Sequence, residues 1–425
     1  MAMAKNPRFH MVMYPWFAFG HMIPYLHLSN VLAERGHSIT FILPKKVQSQ
    51  LQHLNLHPTL ISFHPLTIPH VDGLPPGAET ASDPDFLFYD MAYWAPSLAS
   101  KLGMKSIFYS AVCAAAFAYC LEAQQISKSR PIPTGPPPGY PSSTVVLRPH
   151  EARLLQFLIF PFGEDITFHE RLTAAIKRCD VVSIRTCQEI EGPFCDYMER
   201  RFGKPVFVTG PVFVEPSPLA PEDRWAQWLG GFKPGSVIFC AFGSQNFPEK
   251  DQFQELLLGF ELTGLPFLAA LKPPLGAATI EEALPEGFQE RVGGRGVVHG
   301  GWVPQPSILS HPSVGCFVSH CGFGSMWESL MSDPQIVLVP ELCDQTFNAR
   351  LLAEELKVAV EVEKEENGWV SKESLCKAIK SVMDEEDEVG CLVKKNHAKW
   401  KETLMSQGFM SNYIDNFVRQ LLDLK

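Results

Sequence analysis

The chain has 425 residues, 46% of them hydrophobic and 19% charged, with a formal net charge of -10. This composition excludes a largely disordered chain, and the length exceeds one compact core, so two domains are expected. The charges form no basic stripe, which argues against a nucleic-acid partner.

Residues 9–14 form a short apolar run that reads as a buried first strand. The wider apolar stretch 9–19 resembles a secretory signal only superficially, because Pro15 interrupts it and no small-residue cleavage site follows. Residues 24–35 read as a helix, with Leu26, Val31 and Leu32 as its apolar positions and Gly36 as its stop. Residues 38–43 form the next strand, completing the βαβ unit of a parallel sheet. Residues 86–89, 106–109, 181–184 and 206–208 continue that sheet, and the Pro- and Gly-rich stretch 131–140 is a loop. Residues 210–221 contain four prolines and read as a domain linker. Residues 236–242 restart the pattern, followed by strands at 267–271, 297–299, 316–319 and 336–339 with helices between them. The implied fold is α/β, two Rossmann-like halves facing across a cleft, with ligands at the carboxyl ends of the strands.

Eleven cysteines lack metal-ligand spacing, and Cys113, Cys120, Cys240, Cys316 and Cys321 sit in apolar or small-residue stretches. They read as reduced, buried thiols of a cytoplasmic protein. The sequence has no apolar run of about 18 residues or more, so no membrane span is expected.

One block carries chemistry. Residues 314–319 are an apolar strand, His320-Cys321-Gly322-Phe323-Gly324-Ser325 is a glycine-containing turn, and a helix begins near Met326. A strand, a tight turn and a helix N-terminus form an anion site, because free backbone N–H groups and the helix dipole favour phosphate there. His320 and the Ser325 hydroxyl add hydrogen bonds, and Glu328 is suited to a ribose diol. Neither G-x-G-x-x-G nor G-x-x-x-x-G-K-[ST] occurs here, so hydride transfer and P-loop chemistry are not supported.

From Trp302-Val303-Pro304-Gln305 through His320 and Glu328 to Asp344-Gln345, the block resembles the nucleotide-sugar signature of plant secondary-product glycosyltransferases over its full length. The resemblance extends over essentially the whole chain. It implies the GT-B fold, a UDP-sugar co-substrate, inversion at the anomeric carbon and no metal or other cofactor. It also implies that Trp302 stacks on uracil, that the Val303 backbone reads the base edge, and that Gln305 and Glu328 contact the ribose. His320, Ser325 and the backbone at Gly322 and Gly324 are the implied diphosphate contacts, with Ser244 facing the phosphates from the other strand end. Asp344 and Gln345 are the implied sugar contacts; Ser110, at the end of the strand 106–109, and Phe323 are further candidates for the donor sugar from their positions, not from the resemblance. The chain departs from the family at Phe323-Gly324, where most members carry Trp-Asn, so backbone N–H groups or water must replace the Asn side chain.

Tyr14-Pro15-Trp16-Phe17-Ala18-Phe19-Gly20-His21 follows the first strand and leads to a helix N-terminus. A hydroxyl nucleophile needs a base with pKa near neutral, and imidazole is the usual choice. Its second nitrogen needs an orienting carboxylate. Asp90 ends the strand 86–89 on the same sheet edge and matches the family's His–Asp pair, so His21 and Asp90 are the expected catalytic residues. Trp16, Phe17, Phe19, Trp94 and Phe117 are the expected apolar wall for a flat acceptor, with core packing the equal alternative for Trp94 and Phe117.

The stretch 80–84 is shorter than its counterpart in most family members. The expected organisation is an acceptor-binding domain over residues 1–215, a donor-binding domain over 216–405, and a C-terminal helix in 406–425 packing back on the first domain, in a monomer. The stretches His320–Glu328 and Phe88-Tyr89-Asp90-Met91-Ala92 resemble the branch-forming subgroup that extends flavonoid glycosides. The alternatives are direct glucosylation of phenolic or terpenoid aglycones, or a nucleotide-sugar epimerase or hydrolase on the same fold.

Overall fold

The computed structural model describes residues 8–66, 85–122, 135–161, 166–213, 217–220, 223–243 and 248–425. Its first half builds a parallel sheet of seven strands: β1 (His10–Tyr14), β2 (Ser38–Pro44), β3 (Ile61–Leu66), β4 (Phe86–Tyr89), β5 (Lys105–Ser110), β6 (Val181–Ile184) and β7 (Val206–Val208). Their spatial order is β3-β2-β1-β4-β5-β6-β7. The second half builds a parallel sheet of six: β8 (Val237–Ala241), β9 (Phe267–Ala270), β10 (Gly296–His299), β11 (Val314–Ser319), β12 (Gln335–Leu338) and β13 (Ala359–Glu361), in the order β10-β9-β8-β11-β12-β13. Strands β4, β6 and β8 are buried at every residue, the pattern of a parallel sheet covered on both faces. In each sheet the winding direction reverses once, between β1 and β4 and between β8 and β11. Crossover helices diverge at such a point and leave a crevice beyond the strand ends.

The sequence reading misses β3 and β13. Pro65 and His64 break the apolar run of β3, and an edge strand tolerates a proline that a central one does not; β13 has only three residues. The first helix also differs from the reading. It runs Phe19–Glu34, so His21 lies in its first turn and Pro24 lies inside it. Proline has no N–H to offer the carbonyl four residues back, and here that residue is Gly20, exposed at the start of the helix. Burial of Met22, Pro24, Tyr25, Leu26 and Leu28 outweighs the lost bond.

The two halves share a core. One apolar cluster joins Phe108, Phe117 and Val182 of the first half to Met326, Trp327, Leu330 and Phe347 of the second, with Trp327 completely buried. Arg350, 3% exposed at its side chain, pairs across this contact with Glu151 at 2.6 Å and also with Glu361 of its own half. Glu355 accepts from the hydroxyls of Ser142 at 2.6 Å and Thr144 at 2.8 Å.

The last helix, Phe409–Leu424, returns to the first sheet. Its buried Ile414, Phe417 and Leu421 recur at helical spacing and enter the core of β1, β2 and β4. Phe417 meets Phe88 and Phe207 edge-on at ring separations of 6.2 and 6.4 Å. Tyr413 crosses so close to Gly210 that a Cβ there would lie 2.9 Å from it, and the φ of +74° at Gly210 independently favours glycine. Phe417→Ala is expected to destabilise the first half by about 3–5 kcal/mol, the usual cost of emptying a phenylalanine site in a core. A lower denaturant midpoint at unchanged slope checks this; a shift under about 1 kcal/mol would mean that the helix is not packed as described.

Candidate active site

At the carboxyl edge of the first sheet, β1 and β4 lie in register, with Tyr14 beside Tyr89. The residue after Tyr89 is Asp90, 2% exposed. Its Oδ1 accepts from the backbone N–H of Trp16 at 2.9 Å and of Met91 at 2.6 Å. Its Oδ2 meets His21 Nδ1 at 2.5 Å. The carboxylate is thus fixed by the loop that delivers the histidine, and His21 Nδ1 must carry the shared proton. Burial alone pulls the His21 imidazolium down; the Asp90 charge, its hydrogen bond and the charge of Asp344 together outweigh burial and leave His21 raised above its ordinary value of 6.5.

Beside this pair Trp16 is 47% exposed and Trp94 45%. Tyr14 stands between Phe17 and Trp94 at ring separations of 5.5 and 5.6 Å, and joins the aromatic group although the sequence reading passed it over. Phe19 is partly buried against the first core. Phe117 takes the core alternative: it is 3% exposed, tilts against Phe108 at 5.2 Å and belongs to the core. Helical spacing alone does not separate a core phenylalanine from a cleft one. Ser110 is 2% exposed, and its hydroxyl donates to Val112 O at 2.8 Å, so its proton is committed to its own loop.

On the second sheet the chain leaves β11 through His320 and turns at Cys321, which is fully buried with φ +65°. A left-handed conformation costs a side-chain-bearing residue roughly 1–2 kcal/mol. Ser319 Oγ accepts from Cys321 N at 3.1 Å and Asn348 Nδ2 donates to Cys321 O at 2.8 Å, which holds the turn. Neither supporting residue was singled out from sequence. The helix Phe323–Leu330 then starts with Gly322 as its cap. The His320 ring fills the space between two glycines: an added Cβ would lie 2.9 Å from Nε2 at Gly243 and 2.6 Å at Gly322. His320 Nδ1 donates to Ala241 O at 3.1 Å. Burial pushes the ring down to about 4, so it is neutral and its Nε2 carries the lone pair.

Gln305 Nε2 donates to Ser325 Oγ at 3.0 Å and to Glu328 Oε2 at 2.6 Å, which gathers three of the expected donor contacts. Burial raises Glu328, while Gln305 and the charge of Arg185 partly offset it. Trp302 is 78% exposed, which excludes a core role, and Val303 beside it is 8% exposed. Gln345 is 6% exposed, and its Oε1 accepts from Glu341 N at 2.9 Å and Leu342 N at 3.0 Å, leaving its amide nitrogen for a ligand. Asp344 lies close enough to His21 for each to shift the other's proton affinity. Phe323 is 5% exposed and packs edge-on to Trp327 at 6.0 Å, so its ring belongs to the shared core and not to the cleft. Ser244 and the stretch 80–84 lie outside the described residues. Arg185, buried beside Gly324, was missed; a charge directly after the apolar run 181–184 is the signal that also selected Asp90.

Gly322 has φ -59°, which suits any residue, so only its contact with His320 opposes a side chain there. Gly322→Ala is expected to cost roughly 1–3 kcal/mol by overpacking and to push the ring toward water. The His320 titration should then rise from about 4 toward its ordinary value. Histidine NMR across the acid range reads this, and an unmoved titration would contradict the packing.

The profile of the UDP-glucoronosyl and UDP-glucosyl transferase family matches residues 292–400. UDP-glycosyltransferase 79B9 of Arabidopsis thaliana is 56% identical over 98% of both chains. That alignment spans 450 positions against 425 residues here, so the relative carries residues without a counterpart. The anthocyanidin 3-O-glucoside 2'''-O-xylosyltransferase of the same plant is 52% identical over 97% of this chain and 96% of its own. Among solved structures, the UDP-glucosyltransferase from Polygonum tinctorium capable of glucosylating indoxyl superposes with TM-score 0.80 at 22% identity, over 98% of this chain and 99% of that one. The Phytolacca americana enzyme solved with UDP-2-fluoro-glucose and pterostilbene gives 0.77 at 23%, over 98% and 99%. The two facing parallel sheets are therefore the GT-B fold, and the chain belongs to the plant UDP-glycosyltransferases of the 79B group, enzymes that use a UDP-sugar and no metal.

Proposed function

We propose that the enzyme transfers a sugar from a UDP-sugar to a hydroxyl on the sugar of a flavonoid-type glycoside, with His21 as general base. The observation that carries the base is the 2.5 Å contact between His21 and Asp90 at the switch point of one sheet, facing Asp344 of the other. With Nδ1–H donating to Asp90, Nε2 takes the acceptor's proton. The acceptor oxygen attacks the anomeric carbon, the bond to the diphosphate breaks, and UDP leaves with the bonding pair. Asp90 orients the ring and stabilises the imidazolium that forms. Trp302 stacks on uracil, the Val303 backbone reads its edge, and Gln305 and Glu328 hold the ribose. Ser325 and the N–H groups from Gly322 to Gly324 hold the diphosphate, His320 fills the space between Gly243 and Gly322 behind them without donating to it, and Asp344 with Gln345 binds the sugar. The aromatic group of Tyr14, Trp16, Phe17 and Trp94 supports a flat acceptor.

The base must be unprotonated, and His21 is raised, so activity is lost as pH falls through a value above 6.5. In Asp90→Asn burial is no longer outweighed; the acidic limb of the kcat/KM profile is expected to move to lower pH while the plateau falls by about 100-fold or more. His21→Ala should lose a similar factor with UDP affinity unchanged. A plateau kept in either variant would remove the pair from catalysis.

The glycoside acceptor is supported by the 52% identical relative whose name specifies transfer to an anthocyanidin 3-O-glucoside. Direct glucosylation of an aglycone is the competing reading. At equal donor concentration the specificity constant for a flavonoid 3-O-glucoside should exceed that for its aglycone by about tenfold or more, since a site built around sugar hydroxyls leaves polar groups unpaired when they are missing. Fragmentation of the product should show a disaccharide. A preference for the aglycone, or two separately attached sugars, would overturn this.

A further inference from the structure

Arg185 is the first residue after β6 in the first sheet, and it is 3% exposed. Its Nε donates to two carbonyls of the chain leaving that sheet, Pro211 O at 2.8 Å and Val212 O at 3.0 Å. Val212 has φ +26°, a strained value for a β-branched residue, and it is completely buried. The strain turns both carbonyls onto one donor and fixes the direction of the guanidinium.

The other end of the side chain is not satisfied. Neither Nη1 nor Nη2 has a protein acceptor among the described residues, and neither is sealed from solvent. A buried guanidinium normally uses its outer nitrogens on a carboxylate or phosphate. The nearest feature of the second domain is Gly324, where an added Cβ would lie 4.0 Å from Nη1. Gly324 is the second residue of the eight-residue helix Phe323–Leu330, whose N-terminal N–H groups form the positive end of its dipole. Glu328, one turn further on, influences Arg185 electrostatically but forms no ion pair with it among the described residues, and its Oε2 is taken by Gln305. Two positive features, a fixed cation and a helix N-terminus, thus face each other from the two halves with no carboxylate paired between them among the described residues. Such an arrangement is unfavourable by itself and becomes favourable when an anion enters.

We propose that Arg185 binds the diphosphate of the UDP-sugar, so that the donor's charge bridges the two domains. This rests on reading the Phe323–Leu330 N-terminus as the diphosphate site. Arg185 supplies the hydrogen bonds for which position 324 has no side chain, and it supplies them from the domain that carries His21. The cation is therefore set at the leaving group on the same sheet as the base.

Calorimetry with uridine and UDP at one fixed ionic strength tests this on wild type, Arg185→Gln and Arg185→Lys. Arg185→Gln is expected to weaken UDP by about 10- to 100-fold, the range of a charged hydrogen-bonded contact, with uridine within about twofold of wild type. Unchanged uridine binding also reports that the site has folded. Arg185→Lys keeps the charge and loses the fork, and should weaken UDP by less, again sparing uridine; it carries the same comparison if the glutamine variant does not fold. Equal losses for uridine and UDP would make Arg185 a support for Glu328 and the ribose, and would overturn the proposal. So would unchanged UDP affinity with reduced turnover of the UDP-sugar, which would put the guanidinium on the sugar. A wild-type protein with no more affinity for UDP than for uridine would refute the diphosphate site itself, before any variant is compared.

Discussion

Reversal of winding at the centre of each sheet is the constraint on which the cleft depends. Between β1 and β4, and between β8 and β11, the crossover helices diverge, so the strand ends there are not covered by their own domain. The proposed catalytic pair, His21 and Asp90, follows β1 and β4, and His320 follows β11, with Gly243 after β8 closing against its ring. A crevice at one edge binds half a reaction. Two edges facing each other across a cleft are needed to bring a nucleophile and a leaving group together.

What fixes the facing is apolar. Trp327, Met326 and Phe347 insert into the core of the first sheet, and the buried Arg350 pairs with carboxylates from both halves. Removing one member of a buried pair typically costs about 3–5 kcal/mol because its partner keeps the desolvation penalty. The same helix that buries Trp327 exposes its N-terminus to the cleft, and its Glu328 binds Gln305. The shared core and the Gln305 contact are therefore held by one eight-residue element, and neither can shift without the other.

The strands that are continuous apolar runs were legible in the sequence, because fully buried parallel strands need no alternation to be recognised; β4, β6 and β7 fall where the residues placed them. The errors have local causes. Pro65 disguises an edge strand, and Pro24 disguises a helix that starts earlier than a proline rule allows. At the site, the sequence reached the residues whose neighbours in the chain betray them. It did not reach those that act from a distance: Asn348 locking the Cys321 carbonyl, or Arg185 held by a strained Val212. Phe117, left open between acceptor wall and core, and Phe323, considered for the donor sugar, both lie in the core, because aromatic rings in a helix give the same signal whether they face a ligand or a core.

The two histidines at the sheet edges show how the partner of one ring nitrogen sets proton affinity. Both are largely withdrawn from water, and burial lowers each. His21 has a carboxylate on Nδ1, and the attraction overcomes burial, so its protonated form is stabilised. His320 has only the neutral carbonyl of Ala241 on the same nitrogen, and burial wins, taking it down to about 4. The difference between a carboxylate and a carbonyl at one ring nitrogen separates their tasks, as environments that push two titrating groups apart do in other active sites. In the proposed transfer, a raised His21 takes the proton of a hydroxyl at little cost because its imidazolium is already paired with Asp90. A lowered one remains neutral and adds no charge to a cleft that already holds the unpaired Arg185 guanidinium and a helix N-terminus.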